Sequence, residues 1–244
     1  MTFLIYMGML KYTGFAGAGE SVADLFAQMP SAVKSILGLG ELDVTTIAGY
    51  YAVFYLYFLL LAGVHAVMLG SIIISKEERD KTGDFLFSRP VRRSQIVTSK
   101  LIALLLNVMV INLTTLFASL FFINIFNEGP PVTEIIVRLM AALFIFQLLF
   151  AAIGTGIASV SKNNKKATSL GAAVLLTTFI LSAAIDLYDK IAFLKFLTPF
   201  QYFPATDIIT TGTYAPSYLL LSFILIVALL VITYRFTEKR DINI

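Results

Sequence analysis

A charged segment separates two long apolar runs of the chain. This charged segment, Ser75–Lys100, holds seven of the eighteen Lys and Arg residues and four of the fifteen Asp and Glu residues. It also contains the apolar triplet Phe85–Phe87. An apolar cluster bordered by charges is typical of a protein contact, because buried rings give affinity and charges give orientation and association rate. The pattern therefore predicts binding to another macromolecule. A solvated basic loop that holds anionic lipid is the alternative.

A second group of polar side chains lies inside the apolar runs. These residues are His65, Asn107, Asn112 and Gln147. Polar groups inside a membrane are costly unless they pair or line a cavity, so they could line a substrate path. They could equally form hydrogen bonds between helices, worth about 0.6–2 kcal/mol each. We favour the second interpretation.

Catalytic and metal-binding patterns are missing from the sequence. It has no Gly-x-x-x-x-Gly-Lys-Ser/Thr phosphate loop, no His-Glu-x-x-His motif, no cysteine and a single histidine. We therefore expect a chain that is not an enzyme, that does not hydrolyse ATP and that binds neither a metal ion nor a cofactor of its own.

The elements that carry these residues are membrane helices. The chain is 58% apolar and 14% charged, with a mean hydropathy of +0.87, whereas soluble domains carry about 25% charged residues. A crossing needs about 20 mostly apolar residues. Five runs qualify or nearly so: Ala48–Ile74, Leu101–Ile125, Ile135–Val160, Ala167–Ala184 and Tyr218–Tyr234. The sequence predicts an all-α polytopic membrane protein, with residues 1–244 as a single transmembrane domain.

The N-terminal run Thr2–Ala18 would be only about 25 Å long as a helix. We interpret it as a short first crossing, which makes six transmembrane helices in all. A cleaved signal peptide is the alternative, although the only basic residue of the run, Lys11, follows the apolar stretch instead of preceding it.

The distribution of basic residues predicts the orientation. The charged segment, the turn at residues 161–166 and the C-terminal tail together hold thirteen of the eighteen Lys and Arg residues. The positive-inside rule places this side in the cytoplasm. The basic pI is thus explained by topology, and we expect no nucleic-acid partner. Because no charged residue lies mid-span, a proton- or sodium-coupled carrier is disfavoured.

Two further segments of the outer side have distinctive patterns. Six aromatic residues between Tyr50 and Phe58 predict an interfacial belt at the outer end of the second crossing, with a role in stacking on a substrate as the less favoured alternative. Residues 187–217 are too apolar for a solvated loop and too broken for a crossing. They predict two short helices that dip into the outer leaflet and pack against the spans. Gly154 and Gly156 predict close helix packing.

The charged segment resembles the first cytoplasmic segment of type-2 ABC exporter permeases. An acidic pair, a glycine, an apolar run, Pro-Val, an arginine and a lysine follow one another in the order typical of that family. The matching residues are Glu77, Glu78, Gly83, Phe85, Leu86, Pro90, Val91, Arg93 and Lys100. The order Thr82-Gly83 is reversed in many members. Members usually begin with a basic amphipathic elbow helix and a full first crossing, and this chain begins inside that crossing.

The resemblance implies a coupling helix that docks on a separate, cytosolic ATP-hydrolysing subunit. The implied docking residues are Glu77, Glu78, Arg79, Thr82, Gly83, Phe85, Leu86, Phe87 and Pro90. It also implies two copies of that ABC ATPase, which would hold ATP and Mg²⁺, and a second permease in a homo- or heterodimer. The expected location is the bacterial plasma membrane. Ser94 could cap the helix that follows the charged segment.

The resulting hypothesis is the permease subunit of a bacterial ATP-driven exporter. Few mid-span charges and many Phe and Tyr residues favour an amphipathic or hydrophobic cargo, such as an antimicrobial or cytolytic peptide, a lipid or a drug. A membrane sensor or scaffold that docks a cytosolic protein is one alternative. A secondary transporter is another, disfavoured because the sequence shows no inverted repeat.

Overall fold

The computed structural model describes residues 1–18, 28–30, 33–34, 43–79, 92–127, 129–161 and 163–239. This part of the chain consists of helices and connecting turns, without a β-strand. The α-helices are α1 (Thr2–Ala18), α2 (Ile47–Arg79), α3 (Arg93–Phe126), α4 (Thr133–Val160), α5 (Asn164–Leu187), α6 (Ala205–Thr211) and α7 (Pro216–Lys239). Two 3₁₀ helices, Asp189–Leu197 and Pro199–Gln201, lie between α5 and α6.

Five of these helices are long and apolar enough to cross a membrane. They contain the segments Ile47–Lys76, Arg93–Phe126, Thr133–Val160, Lys166–Leu187 and Pro216–Glu238. The five predicted crossings are thereby confirmed as helices, and the chain is an all-α polytopic membrane protein. Helix α1 has 17 residues and packs on α3 and α2. The sixth crossing, and the assignment of residues 1–244 to one domain, stay predictions.

Helices α2 and α4 form the centre of the bundle. In their most apolar windows 56% and 61% of the residues are buried, compared with 22%, 22% and 11% in α3, α5 and α7. The latter three therefore present most of their surface to the surroundings of the chain. The contact between α2 and α4 is also the most extensive helix pair in the described structure.

Two glycines allow this close approach. A Cβ atom on Gly70 would lie 2.4 Å from the carbonyl oxygen of Ala151, and one on Gly154 would lie 2.3 Å from that of Val67. Ser71 donates its hydroxyl across the contact to the carbonyl oxygen of Gly154 at 3.3 Å. The prediction of close packing at Gly154 is confirmed. Small residues let backbones meet, and van der Waals packing is the main source of helix association in lipid.

Four of the six aromatic residues at the start of α2 are buried and do not form the predicted belt. Tyr51, Tyr55 and Phe58 are at most 1% exposed, and Tyr50 is also buried. The Tyr51 hydroxyl donates to Ser119 Oγ on α3 at 2.6 Å. The belt interpretation was wrong for these residues because α2 is central, so its outer end is surrounded by protein instead of headgroups.

Residues 189–211, which we name the outer cover, pack back onto the spans. Thr198 Oγ1 donates to the carbonyl oxygen of Thr178, nine residues before the end of α5, at 2.8 Å. The ring of Phe200 contacts those of three phenylalanines on α4 and α5, namely Phe146, Phe150 and Phe179. The predicted packing is confirmed. The segment forms two 3₁₀ helices and one α-helix, because Pro199 and Pro204 lack an N–H and can only begin a helix or precede one.

Substitution of Gly154 by alanine tests the α2–α4 contact. The added methyl group would overlap the backbone of α2, so we expect Gly154→Ala to destabilise the protein by about 1–3 kcal/mol or more. The measurement is thermal unfolding of the purified chain in detergent micelles.

Gly14→Ala is the matched control, because a Cβ atom there has no neighbour within 4 Å. Alanine favours helix more than glycine does, so this variant should be as stable as the parent or slightly more stable. Equal midpoints for the two variants would contradict the proposed role of Gly154.

Candidate functional site

The two helix ends that flank the charged segment are joined to each other. Helix α2 ends at Arg79 and α3 begins at Arg93. Within α3, the half-buried Lys100 donates from Nζ to the carbonyl oxygen of Ile74 on α2 at 3.0 Å. A hydrogen bond from a charged donor is stronger than one between neutral groups. This bond holds the end of α2 next to the beginning of α3.

The same end of α3 is joined to the last helix. Arg93 Nη1 donates to the carbonyl oxygen of Glu238 at 3.2 Å. Thr98 Oγ1 and the Tyr234 hydroxyl share a hydrogen bond of 2.8 Å. We name the residues of these three bonds the anchor cluster: Ile74, Arg93, Thr98, Lys100, Tyr234 and Glu238. It connects the ends of α2, α3 and α7 on one side of the bundle.

The predicted docking residues lie at or beyond the end of α2. Glu77, Glu78 and Arg79 form its last turn, and their side chains fall outside the described part of the chain. The remaining docking residues, Thr82, Gly83, Phe85, Leu86, Phe87 and Pro90, also lie outside the described residues. The structure thus places the base of the charged segment, and the docking assignment stays a prediction.

The start of α3 differs from the sequence prediction. The helix begins at Arg93, so Ser94 lies inside the first turn and is not the capping residue. Gln95 performs part of that role, because its Oε1 atom accepts a hydrogen bond from the backbone N–H of Arg92 at 3.1 Å. The serine cap was wrong by two positions.

Of the four polar residues predicted inside the spans, two meet. Asn112 on α3 donates from Nδ2 to Gln147 Oε1 on α4 at 3.2 Å and to the carbonyl oxygen of Met140 at 3.1 Å. Both side chains are buried, and Gln147 is completely enclosed. Nε2 of Gln147 has no hydrogen-bond partner among the described residues. This pair has the geometry of the favoured interpretation, a hydrogen bond between helices.

The other two polar residues lie apart from that pair. Asn107 is exposed on α3 and donates to the carbonyl oxygen of Ala103 in its own helix at 2.7 Å. His65 is half-buried on α2, and its buried Nδ1 atom has no hydrogen-bond partner in the part of the chain that the structure describes. The structure therefore does not bring the four residues together into one polar path.

A cavity of about 700 Å³ opens between α2, α5 and the outer cover. Its apolar lining includes Leu56, Leu59, Phe179 and Phe200. Its charged lining consists of Asp186, Lys195 and Asp207. Gln201 donates from Nε2 to Asp186 Oδ1 at 2.7 Å and to Ser182 Oγ at 3.0 Å. We name this space the outer cavity.

Sequence analysis missed this cavity. Asp186 marks the end of α5 and was interpreted only as a boundary, while Gln201 lies in an otherwise apolar, broken segment. An isolated amide in such a segment is the signal that could have indicated a buried polar partner. Which carboxylate it would meet follows only from the fold of the outer cover.

Two tyrosines near the outer cavity keep their protons at neutral pH. Burial raises the pKa of Tyr202 to about 12, and it also raises the pKa of Tyr214. The Tyr202 hydroxyl donates to the carbonyl oxygen of Phe196, and the Tyr214 hydroxyl donates to that of Arg138 at 2.7 Å. The first bond lies within the outer cover, and the second holds the segment before α7 against α4.

The fold and the joined helix ends describe a multi-pass helical membrane protein. Comparison with known families agrees: residues 2–242 match the ABC-2 family transporter protein. The match spans nearly the whole chain, so the chain belongs to this family. None of the curated proteins compared with the chain matches it.

Membership defines the chain as a permease subunit of an ABC transporter. Such subunits are multi-pass proteins of the bilayer, normally not catalytic, that work with an ABC ATPase. A location in the plasma membrane is consistent with this family and with the five apolar helices.

Replacing Asn112 distinguishes the two interpretations of the polar residues. Asn112→Ala removes a buried hydrogen bond between α3 and α4, so we expect a loss of about 0.6–2 kcal/mol in stability. Thermal unfolding in detergent measures it. Asn107→Ala is the control, because that side chain bonds only within its own helix, and it should leave stability unchanged. An Asn112→Ala variant of normal stability that has lost transport would support the path interpretation instead.

Proposed function

We propose that this chain is the permease subunit of a bacterial exporter. It works as a homo- or heterodimer with two copies of a cytosolic ABC ATPase, which hold ATP and Mg²⁺. The cargo is amphipathic or hydrophobic, such as an antimicrobial or cytolytic peptide, a lipid or a drug. The residues at and beyond the end of α2, from Glu77 to Pro90, form the coupling helix that docks on the ATPase.

The anchor cluster is the observation that carries this proposal. A docking segment transmits force only if its two ends are fixed to elements that must move. Lys100 joins α3 to α2 at the base of the charged segment, and Arg93 joins α3 to α7. A push on the segment would therefore reach three spans together. A solvated loop that holds lipid would not require such joined ends.

The centre of the bundle supports the same mechanism. Because backbone meets backbone at Gly70 and Gly154, α2 and α4 have no room to slide freely. Closure of the ATPases would move α2, and α4 would follow as part of the same body. Reorientation of this pair would open the dimer contact toward the outside.

The exposed faces of three spans favour an apolar cargo. The exposed faces of α3, α5 and α7 carry large apolar side chains, including Phe117, Phe121, Ile180 and Phe223. A strongly charged cargo would find no mid-span partner there. An amphipathic molecule can keep its apolar part along these faces and its polar part at the outer end.

Two charges introduced into the apolar triplet test the docking assignment. Phe85→Asp combined with Leu86→Asp should abolish co-purification of the ATPase and its stimulation, because a buried apolar contact would have to accept two carboxylates. Membrane insertion should remain intact. The measurements are pull-down of the ATPase with the tagged permease and ATPase activity in proteoliposomes.

Lys162→Gln combined with Lys165→Gln is the matched control. It changes the charge by the same two units, within the polar run Ser161–Lys166. Normal co-purification is expected. If the doubly substituted Asp variant still binds and stimulates the ATPase normally, the charged segment is not the coupling element.

Removing the ammonium group of Lys100 tests the anchor cluster separately. Lys100→Met keeps an unbranched apolar stem but loses the bond to the carbonyl oxygen of Ile74. We expect the ATPase to bind normally, while the amount of cargo moved per ATP hydrolysed falls. Lys166→Met, at the start of α5, removes the same kind of charge and should leave that ratio unchanged. A parental ratio in Lys100→Met would exclude a role of this bond in coupling.

A further inference from the structure

The geometry points to the outer cavity as a binding site for an amphipathic organic cation. The inference deepens the proposed function and rests on it in one respect, namely that the bound cation would be cargo near its release. Binding itself depends only on the cavity between α2, α5 and the outer cover.

The charged part of the cavity lining, which we name the rim, favours a cation. Asp186 and Asp207 are two carboxylates against one ammonium group, that of Lys195. In the described part of the chain Lys195 forms no salt bridge with either carboxylate, although its charge acts on Asp186 from a greater distance. Among the described residues, Asp186 accepts one hydrogen bond, from Gln201, and a carboxylate can accept several more. The rim therefore has unused capacity for a positively charged donor.

Gln201 fixes the position of the Asp186 carboxylate in the outer cavity. Its Nε2 atom bonds to both Ser182 and Asp186, so the amide fixes the carboxylate on the wall of the cavity. Gln201 is itself 9% exposed, and Ser182 is 8% exposed. A carboxylate held by a buried amide has little freedom to turn away, so less entropy is lost when a ligand binds it.

The opposite lining is apolar and partly aromatic. Leu56 and Leu59 come from α2, Phe179 from α5 and Phe200 from the outer cover. Aromatic faces attract cations as well as apolar groups, because the ring quadrupole places negative potential on the face. A ligand with an apolar or aromatic body and an amine satisfies both halves of the cavity, whereas a simple metal ion would use only the rim.

The size of the cavity agrees with a drug-sized ligand. The volume of about 700 Å³ lies within the range of about 300–1,000 Å³ found for sites that bind drug-sized molecules.

Ethidium, an aromatic cation with two amino groups, is a suitable probe. The permease is placed in phosphatidylcholine nanodiscs without its ATPase, and ethidium binding is followed by fluorescence anisotropy, with protein-free nanodiscs as the blank. Asp186→Asn keeps an oxygen that can accept from Gln201 and removes only the charge. We expect it to weaken ethidium binding at least tenfold.

Two further controls make the result specific. Glu134→Gln removes a carboxylate that is ion-paired with Arg138 outside the cavity, and it should leave ethidium binding unchanged. The neutral aromatic N-phenyl-1-naphthylamine should bind Asp186→Asn and the parent equally.

The proposal is overturned if ethidium shows no saturable binding above the blank, or if Asp186→Asn and Glu134→Gln bind it alike. Failure of the proposed function would look different. In that case ethidium would bind as expected, but the ATPase would neither co-purify nor drive its transport.

Discussion

The contact between α2 and α4 is the constraint on which the rest of the structure depends. At Gly70 and Gly154 the backbones approach so closely that a single methyl group has no space. In lipid, where apolar burial gives no net attraction between helices, such contact is the main source of cohesion. The remaining spans, the outer cover and the base of the charged segment are all arranged around this pair.

The central position of α2 explains how one helix serves both ends of the molecule. Its outer end contributes Tyr55 to the outer cavity, and its other end carries Ile74, to which Lys100 is bonded. Because a helix transmits displacement along its axis with little internal change, movement at one end of α2 reaches the other. The mechanism proposed above requires such a connection between the two ends of the bundle.

Much of the fold could be predicted from the sequence, because the lipid bilayer imposes length and polarity on each span. The five apolar runs and the close contact at Gly154 were predicted from such rules. The buried aromatic residues Tyr51 and Tyr55 were not, because an interfacial belt and a protein core use the same residue types. Nor could the pairing of Asp186 with Gln201 be foreseen, since it depends on how a proline-broken segment folds back. Within the site, the charged residues showed where the charged segment begins and ends. The bonds that Lys100 and Arg93 form with α2 and α7 are visible only in the structure.

The outer cover is attached unequally to its neighbours. Its polar bonds from Thr198 and Gln201 all go to α5, whereas Phe200 meets α4 only through ring contacts. Hydrogen bonds are directional and break as discrete events, while apolar rings can shift past one another with gradual loss of dispersion energy. The directional bonds of the outer cover therefore go to α5, and its contact with α4 is the more adaptable of the two. We expect the cover to keep its place on α5 if the helices rearrange.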